Sequence, residues 1–362
     1  MEALKKVNGW LMHKDMPVAL IENGPITDIL PEKHLPIYLK NYTDLESWLK
    51  TREVDPHRTN SRLLKKYLRL AQGAETDGVL HVNALALTDS FWIKQKDSTL
   101  TWENVQFKYN ELADIALQGH FHTERLNTHS PDFTNIGSYE KCWRIENGSW
   151  YMYKKGTARE IFSELLAYET GKLLGFNMAE YSFESDILIR STNFVDVEQY
   201  DYEPANSWML DNDDYVENYR YLQNISQELA NQYFEILMMD TICYNVDRHT
   251  FNYGVMRDSV SGDIIEMAPN FDNNLSALSV LPDEKVRGRK IGLFESAFED
   301  LCQETNAVQN YAKQLPEMNW EKLKIIVSDL LKKFDSITLE TDDILSFIKV
   351  GYDFVQQQFN KN

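Results

Sequence analysis

The chain has 362 residues, a formal net charge of −19, and 43% hydrophobic with 12% aromatic residues. Its length accommodates two or three hydrophobic cores, and its apolar content marks a packed globular protein rather than a disordered one. The acidic balance argues against a general nucleic-acid or anionic-membrane binder, both of which need clustered positive charge, and is compatible with a basic substrate peptide.

The N-terminus, Met1-Glu2-Ala3-Leu4-Lys5-Lys6, leads to no apolar signal core, and no run approaches the length that spans a bilayer, so a cytoplasmic protein is expected. Up to about Gly119 the pattern mixes short apolar strands, Val18 to Ile21 and Val79 to Leu87, with a helix after Asn60. There Asn60 or Ser61 is placed to cap, and Leu63, Leu64, Tyr67, Leu68 and Leu70 have helical spacing. Residues 1–125 carry no catalytic motif and are expected to form an extension packed on, or part of, a small lobe.

That lobe is expected over residues 126–200. Gly137 and Ser138 lie in a loop before the strand Cys142 to Ile145, and Asn147-Gly148 separates it from Trp150 to Lys154. Asn-Gly between apolar runs signals a hairpin, because both residues tolerate positive φ. Period-two counting puts Lys154 on the face of Trp150 and Met152, with Lys155 opposite. Thr157 and Glu160 form a capping-box pair, which occupies Glu160, whereas Glu164 falls beside the apolar stripe of the same helix. Gly175 closes that helix, and Met178 to Phe183 with Asp186 to Arg190 read as further strands.

Residues 201–362 read as mostly helical. The acidic run Asp211 to Glu217 lacks the glycine and distal glutamate of a calcium loop and reads as a solvated insertion. The helix from Gln227 to Tyr244 puts Leu229, Tyr233, Ile236, Leu237 and Asp240 on one face. A carboxylate on an apolar stripe must be paired, so Asp240 is expected to tie down the loop that follows.

That loop holds the most informative pattern in the chain. Asp247 is followed five positions later by Asn252 and twenty beyond that by Asp272, the order and spacing with which kinases transfer the γ-phosphoryl group of ATP. One carboxylate orients the attacking hydroxyl, while an amide oxygen and a second carboxylate supply the hard ligands that Mg2+ requires. The runs Tyr253 to Arg257 and Ile264 to Met267 flank a turn, forming the hairpin that separates the two metal-binding positions.

At Asn245-Val246-Asp247-Arg248-His249-Thr250-Phe251-Asn252 the chain resembles the HipA-like bacterial serine/threonine kinases, whose catalytic loop reads Asn-x-Asp-x-His-x-x-Asn. The resemblance runs from about Thr134 to Ser279. It implies an α+β, two-lobed protein-kinase-like fold, with an antiparallel sheet and one helix in a mixed small lobe and a mostly helical large lobe. It also implies a Ser/Thr protein kinase using ATP and Mg2+ on a protein acceptor. Asp247 would orient that acceptor, Asn252 and Asp272 hold metal, and Lys154 grip the ATP phosphates with Glu164 positioning it. Gly137 and Ser138 would lie in the phosphate loop, and His249 would brace the catalytic loop. Ser138 is implied as a site of self-phosphorylation, and Ser191 to Phe194 as the segment between the lobes. Phe271-Asp272-Asn273 stands where many kinases carry Asp-Phe-Gly, a departure that HipA-like proteins share.

The order Asp-Arg-His also resembles phosphoinositide kinases, which keeps a lipid-headgroup or small-molecule acceptor open, and a nucleotide-binding pseudokinase is a third reading. Lys285, Arg287, Arg289 and Lys290 read as a solvated basic loop or a receptor for an acidic or phosphorylated group. His120-Phe121-His122 with His129 lacks zinc-ligand patterning, and Cys142, Cys243 and Cys302 form neither a disulfide framework nor a cysteine zinc site. Neither a nucleic-acid nor a membrane partner is expected.

Overall fold

Alternating apolar residues close the N-terminal segments into an antiparallel sheet. Its strands are β1 (Gly9–His13), β2 (Met16–Ile21), β3 (Ile26–Ile29) and β4 (Phe91–Gln95), in the order β3-β2-β1-β4. Gly9 pairs with Gln95, and a Cβ at Gly9 would sit 2.0 Å from the Lys94 carbonyl oxygen, so only glycine lets these strands approach. Leu11, Val18, Ala19 and Ile21 pack with Tyr38, Leu39, Trp48 and Leu49 from the helices Ile37–Tyr42 and Leu45–Lys50. Beyond the second helix, Arg52 makes a two-pronged, buried ion pair with Asp89, at 2.8 and 2.9 Å.

The computed structural model describes Leu4 and residues 7–55, 57–58, 60–67, 76–119 and 126–361. A helix at Ser61–Tyr67 follows Asn60 as expected, while Leu68 and Leu70 lie outside the described residues. The strand expected from Val79 to Leu87 is instead the short helix Asp77–His81 followed by a turn. Asn83 and Ala84 both take positive φ there, which breaks any extended run, and the buried Val79, Val82 and Leu85 were apolar for reasons of packing rather than pairing.

Two units emerge from the chain. One comprises Met1–Lys155, Arg190–Glu203 and Met256–Ile265, and the other Gly156–Ile189, Pro204–Val255 and Glu266–Asn362. In the first, β5 (Lys141–Glu146) and β6 (Ser149–Lys155) form the expected hairpin, turning on Asn147 and Gly148 at φ of 51° and 84°. The second contains the helix Ala158–Leu174, whose capping box between Thr157 and Glu160 is complete, and β7 (Tyr181–Ser185). Strand β8 (Leu188–Thr192) and strands β9 (Tyr200–Pro204), β10 (Gly254–Asp258) and β11 (Ile264–Met267) carry the chain from one unit into the other.

Helices dominate the second unit, chief among them Tyr215–Ile225, Gln227–Cys243, Leu293–Thr305, Trp320–Leu331 and Thr341–Asn360. Phe234 of the Gln227–Cys243 helix stacks on Phe298 at 5.3 Å, fixing that helix in the core from which the next loop emerges. Arg289 is no solvated member of a basic run. Its side chain is 1% exposed, donates to the carbonyls of Thr241, Ile242 and Phe347, and pairs with Glu295. It thus satisfies the last carbonyls of the Gln227–Cys243 helix, which otherwise have no partner within the helix. The fold class is α+β, as the sequence implied. Among the described residues, no helix is long and apolar enough to cross a membrane.

Candidate active site

In the first unit, the loop before β5 takes positive φ at Gly137, 113°, where a side chain would be strained. A Cβ at Gly137 would also meet Lys141 Nζ at 2.6 Å, so the glycine admits a buried ammonium against the loop backbone. Arg58 fixes the base of this loop, donating to the carbonyls of Asn135, Ala116 and Lys141. Ser138 is exposed. Lys154, on β6 opposite Lys141, carries its Nζ 4.7 Å from the Tyr139 ring centre, whereas Lys155 pairs with Glu140 at 3.1 Å. Tyr153, not Lys154, is the buried residue of this strand end.

In the second unit, the helix carrying Asp240 ends at Cys243, and Tyr244 takes a left-handed conformation that turns the chain into the loop. Asp240 has its carboxylate filled. It accepts from Asn245 Nδ2 at 3.0 Å, from Arg248 Nη2 at 2.7 Å and from Arg248 Nε at 2.9 Å. Asn252 is folded back on the same loop, its Nδ2 donating to the Asp247 carbonyl at 2.8 Å, which leaves Oδ1 as the atom suited to a cation. The Asp247 side chain is 41% exposed, with His249 Nε2 at 3.9 Å, and His249 Nδ1 accepts the Phe251 N–H at 3.2 Å.

The Asp272 segment is fixed from several directions. Asp272 has φ of 59°, unusual for a residue with a side chain. Its N–H donates to the Tyr181 hydroxyl at 3.2 Å. Burial first, then the nearby Glu164 and Asp272 carboxylates, raise the Tyr181 hydroxyl well above its ordinary pKa, so it stays protonated. Glu164 is buried and accepts the Asn273 N–H at 2.8 Å. Asn270, two residues before Asp272, bridges in parallel to Met178, with its carbonyl accepting from the Ala179 N–H.

Asp240, Asp247, Asn252, Asp272 and Glu164 therefore belong to one hydrogen-bonded array in the second unit, while Gly137, Ser138 and Lys154 lie in the first. Two residues went unselected in the sequence. Lys141 begins a strand and has no motif to mark it. Arg248 sits inside the motif and is the residue through which the array is joined, a role for which the only local sign was an acidic partner, Asp240, on an apolar helix face.

Beside Asp247 the second unit has a cleft of about 450 Å³, lined by Asp213, Asp214, Tyr215, Asp247, Phe294, Asp300 and Glu304 among others. The acidic run expected to be a solvated insertion thus has structural work. Asp214 caps the helix Tyr215–Ile225 through the Glu217 N–H, and Asp213 and Asp214 form part of the cleft wall. His120, Phe121 and His122 lie outside the described residues, and His129 donates from Nε2 to the Val105 carbonyl, 2.9 Å away.

No protein-family model and no curated protein sequence matches the chain. Among solved structures, the Helicobacter pylori proinflammatory kinase CtkA is similar at 15% identity and a TM-score of 0.47, covering 61% of this chain and 94% of its own. HipA, from the structure of the Shewanella oneidensis MR-1 toxin–antitoxin system HipA, HipB and its operator DNA, is similar at 10% identity and a TM-score of 0.54. That match covers 97% of this chain and 96% of the other. At such identity the likeness is one of fold, and it runs nearly end to end: the chain has an α+β, kinase-like fold similar to that of HipA.

Proposed function

We propose that this protein is an ATP- and Mg2+-dependent phosphotransferase, a Ser/Thr protein kinase whose acceptor is a protein segment rich in positive charge. The observation that carries the reading is the gathering of the Asp247 loop and the Asp272 segment on one guanidinium, with the carbonyls of Asn252 and Phe271 bonded to the same Arg248 nitrogen at 2.6 and 2.8 Å. A half-exposed carboxylate beside an acceptor-sized cleft fits the task of orienting a hydroxyl, in the role assigned to Asp247.

Asn252 Oδ1 and the Asp272 carboxylate fit Mg2+, which takes hard oxygen ligands and is commonly held by one or two protein groups with phosphate and water completing its shell. Among the described residues there is no cluster of three or more His, Cys, Asp or Glu that would make a full protein cage. The ion would neutralise charge developing on the transferred phosphoryl group. Lys154 is assigned to the ATP phosphates, Glu164 to orienting Lys154, and Gly137 with Ser138 to the loop over the phosphates. The exposed Ser138 is the position assigned to self-phosphorylation.

The cleft beside Asp247 supports the cationic acceptor. Asp213, Asp214, Asp300 and Glu304 lie in its wall, and the Arg248 guanidinium there is committed to Asp240. The test is transfer of labelled γ-phosphate from ATP to protein by wild type and by Asp247→Ala. The expected loss is at least ~100-fold, the ordinary scale for removing a positioned acid–base group. Equal incorporation by both proteins overturns the reading. Label that appears only in lipid or metabolite moves the acceptor to those classes, and a melting shift with Mg-ATP without ADP or phosphoprotein makes the protein a pseudokinase.

A further inference from the structure

Arg248 is 3% exposed and makes six hydrogen bonds in which every acceptor belongs to the catalytic loop, the helix before it, or the segment around Asp272. Nε and Nη2 grip the two oxygens of Asp240 at 2.9 and 2.7 Å. Nη1 holds the main-chain carbonyls of Asn252 and Phe271. Nη2 further reaches the Oδ1 atoms of Asn270 and Asn273, at 2.9 and 2.8 Å. The three residues assigned to chemistry are thus each one step from a single planar group: Asp247 precedes Arg248 in the chain, Asn252 offers its own carbonyl, and Asp272 lies between Phe271 and Asn273.

Resting on the phosphotransferase reading, we infer that Arg248 is a positioning residue that sets the spacing between the hydroxyl-orienting Asp247 and the cation ligands Asn252 and Asp272. The guanidinium is suited to this because its N–H groups point outward in one plane at fixed angles, so acceptors bound to it have little freedom relative to one another. A lysine in its place keeps the positive charge against Asp240 but is a single nitrogen with three rotatable donors, unable to reach both the Asp240 side and the Asn252 and Phe271 carbonyls in one plane. Groups that orient ligand-bearing segments from outside the ligand set typically change metal affinity or activity by about 10- to 100-fold when altered.

The experiment compares wild type, Arg248→Lys and Asn273→Ala. Binding of Mn2+ in the presence of a non-hydrolysable ATP analogue is read by electron paramagnetic resonance of free Mn2+, together with kcat, KM for ATP and thermal melting. Arg248→Lys is expected to weaken Mn2+ binding and to lower kcat, each by about 10-fold or more, with KM for ATP within about threefold of wild type. Asn273→Ala removes the side-chain bonds of Asn273 to Arg248, Asn245 and Glu164 and leaves the Arg248–Asp240 pair intact, so a smaller loss in the same two readouts is expected even if Arg248→Lys does not fold. Wild-type Mn2+ affinity and kcat in either folded variant overturn the role of Arg248. Losses that match the unfolded fraction at the assay temperature do the same, since they reduce it to a stabilising residue. Wild type that binds no Mn2+–nucleotide at all overturns the phosphotransferase reading itself.

Discussion

The buried Glu164 carboxylate accepts the backbone N–H of Asn273 at 2.8 Å, joining the helix Ala158–Leu174 to the residue directly after Asp272. From the first turn of the same helix, Arg159 donates to Asp283 at 2.7 Å and to the Leu281 carbonyl at 2.8 Å, so one helix fixes both ends of the segment from Asn273 to Asp283. Glutamine at 164 can still accept from Asn273 but carries no charge. Glu164→Gln is therefore expected to unfold in urea within ~1 kcal/mol of wild type while losing most of its phosphate transfer at limiting ATP, because the proposed hold on Lys154 is electrostatic. Unchanged transfer by a folded Glu164→Gln would remove Glu164 from the site.

The acidic cleft makes a prediction about substrates. Asp300 is exposed in its wall and can be reversed without touching the Arg248 array. Asp300→Lys is expected to raise KM for peptides with lysine or arginine beside the acceptor several-fold, to leave KM for ATP unchanged, and to flatten the dependence on ionic strength. Peptide kinetics at low and high salt decide the matter, and identical KM values for basic and acidic peptides would count against a cationic acceptor.

Arg289 separates from its neighbours in the basic run. Arg289→Met leaves the Thr241 and Ile242 carbonyls without their donor and Glu295 buried without its cation, and a cost of about 3–5 kcal/mol follows from breaking such a pair on one side. Lys285 and Lys290 are exposed, so their alanine variants should stay within about 0.5 kcal/mol of wild type. Urea midpoints that fail to rank Arg289→Met far below the other two would contradict this placement.

His129 gives a dependence on pH with a defined sign. Burial lowers its pKa below the ordinary value and outweighs the opposing hydrogen bond to the Val105 carbonyl. The unfolded chain, with a histidine pKa of about 6.5, takes up the proton first as pH falls. Its contribution is therefore fully present above pH ~6.5 and is lost progressively below that, towards the lower folded pKa. Glutamine can donate to the same carbonyl and does not titrate. His129→Gln should narrow the loss of stability between pH 7 and pH 5, measured by urea unfolding at each pH, and an unaltered pH profile would refute the assignment.

Asp247, Asn252 and Asp272 stand out in the sequence because their pattern is local: a fixed spacing, a hairpin between them and a carboxylate on the preceding helix face that demands a partner, which the fold supplies as Arg248. The capping box at Thr157 and Glu160 and the Asn147-Gly148 turn were legible for the same reason, since their hydrogen bonds and φ values are set within a few residues. What the chain's order could not decide were identities of distant partners. Val79 to Leu87 has the apolarity of a strand but finds a helix packing site rather than a pairing edge. Arg289 looks solvated among cations until the carbonyls of a helix end far away in sequence close around it. The placement of Lys141 depends on a glycine backbone, and that of Arg248 on acceptors from three segments. Burial of a charge is settled by which groups the fold brings to it, and that information resides in the packing, not in the neighbours along the chain.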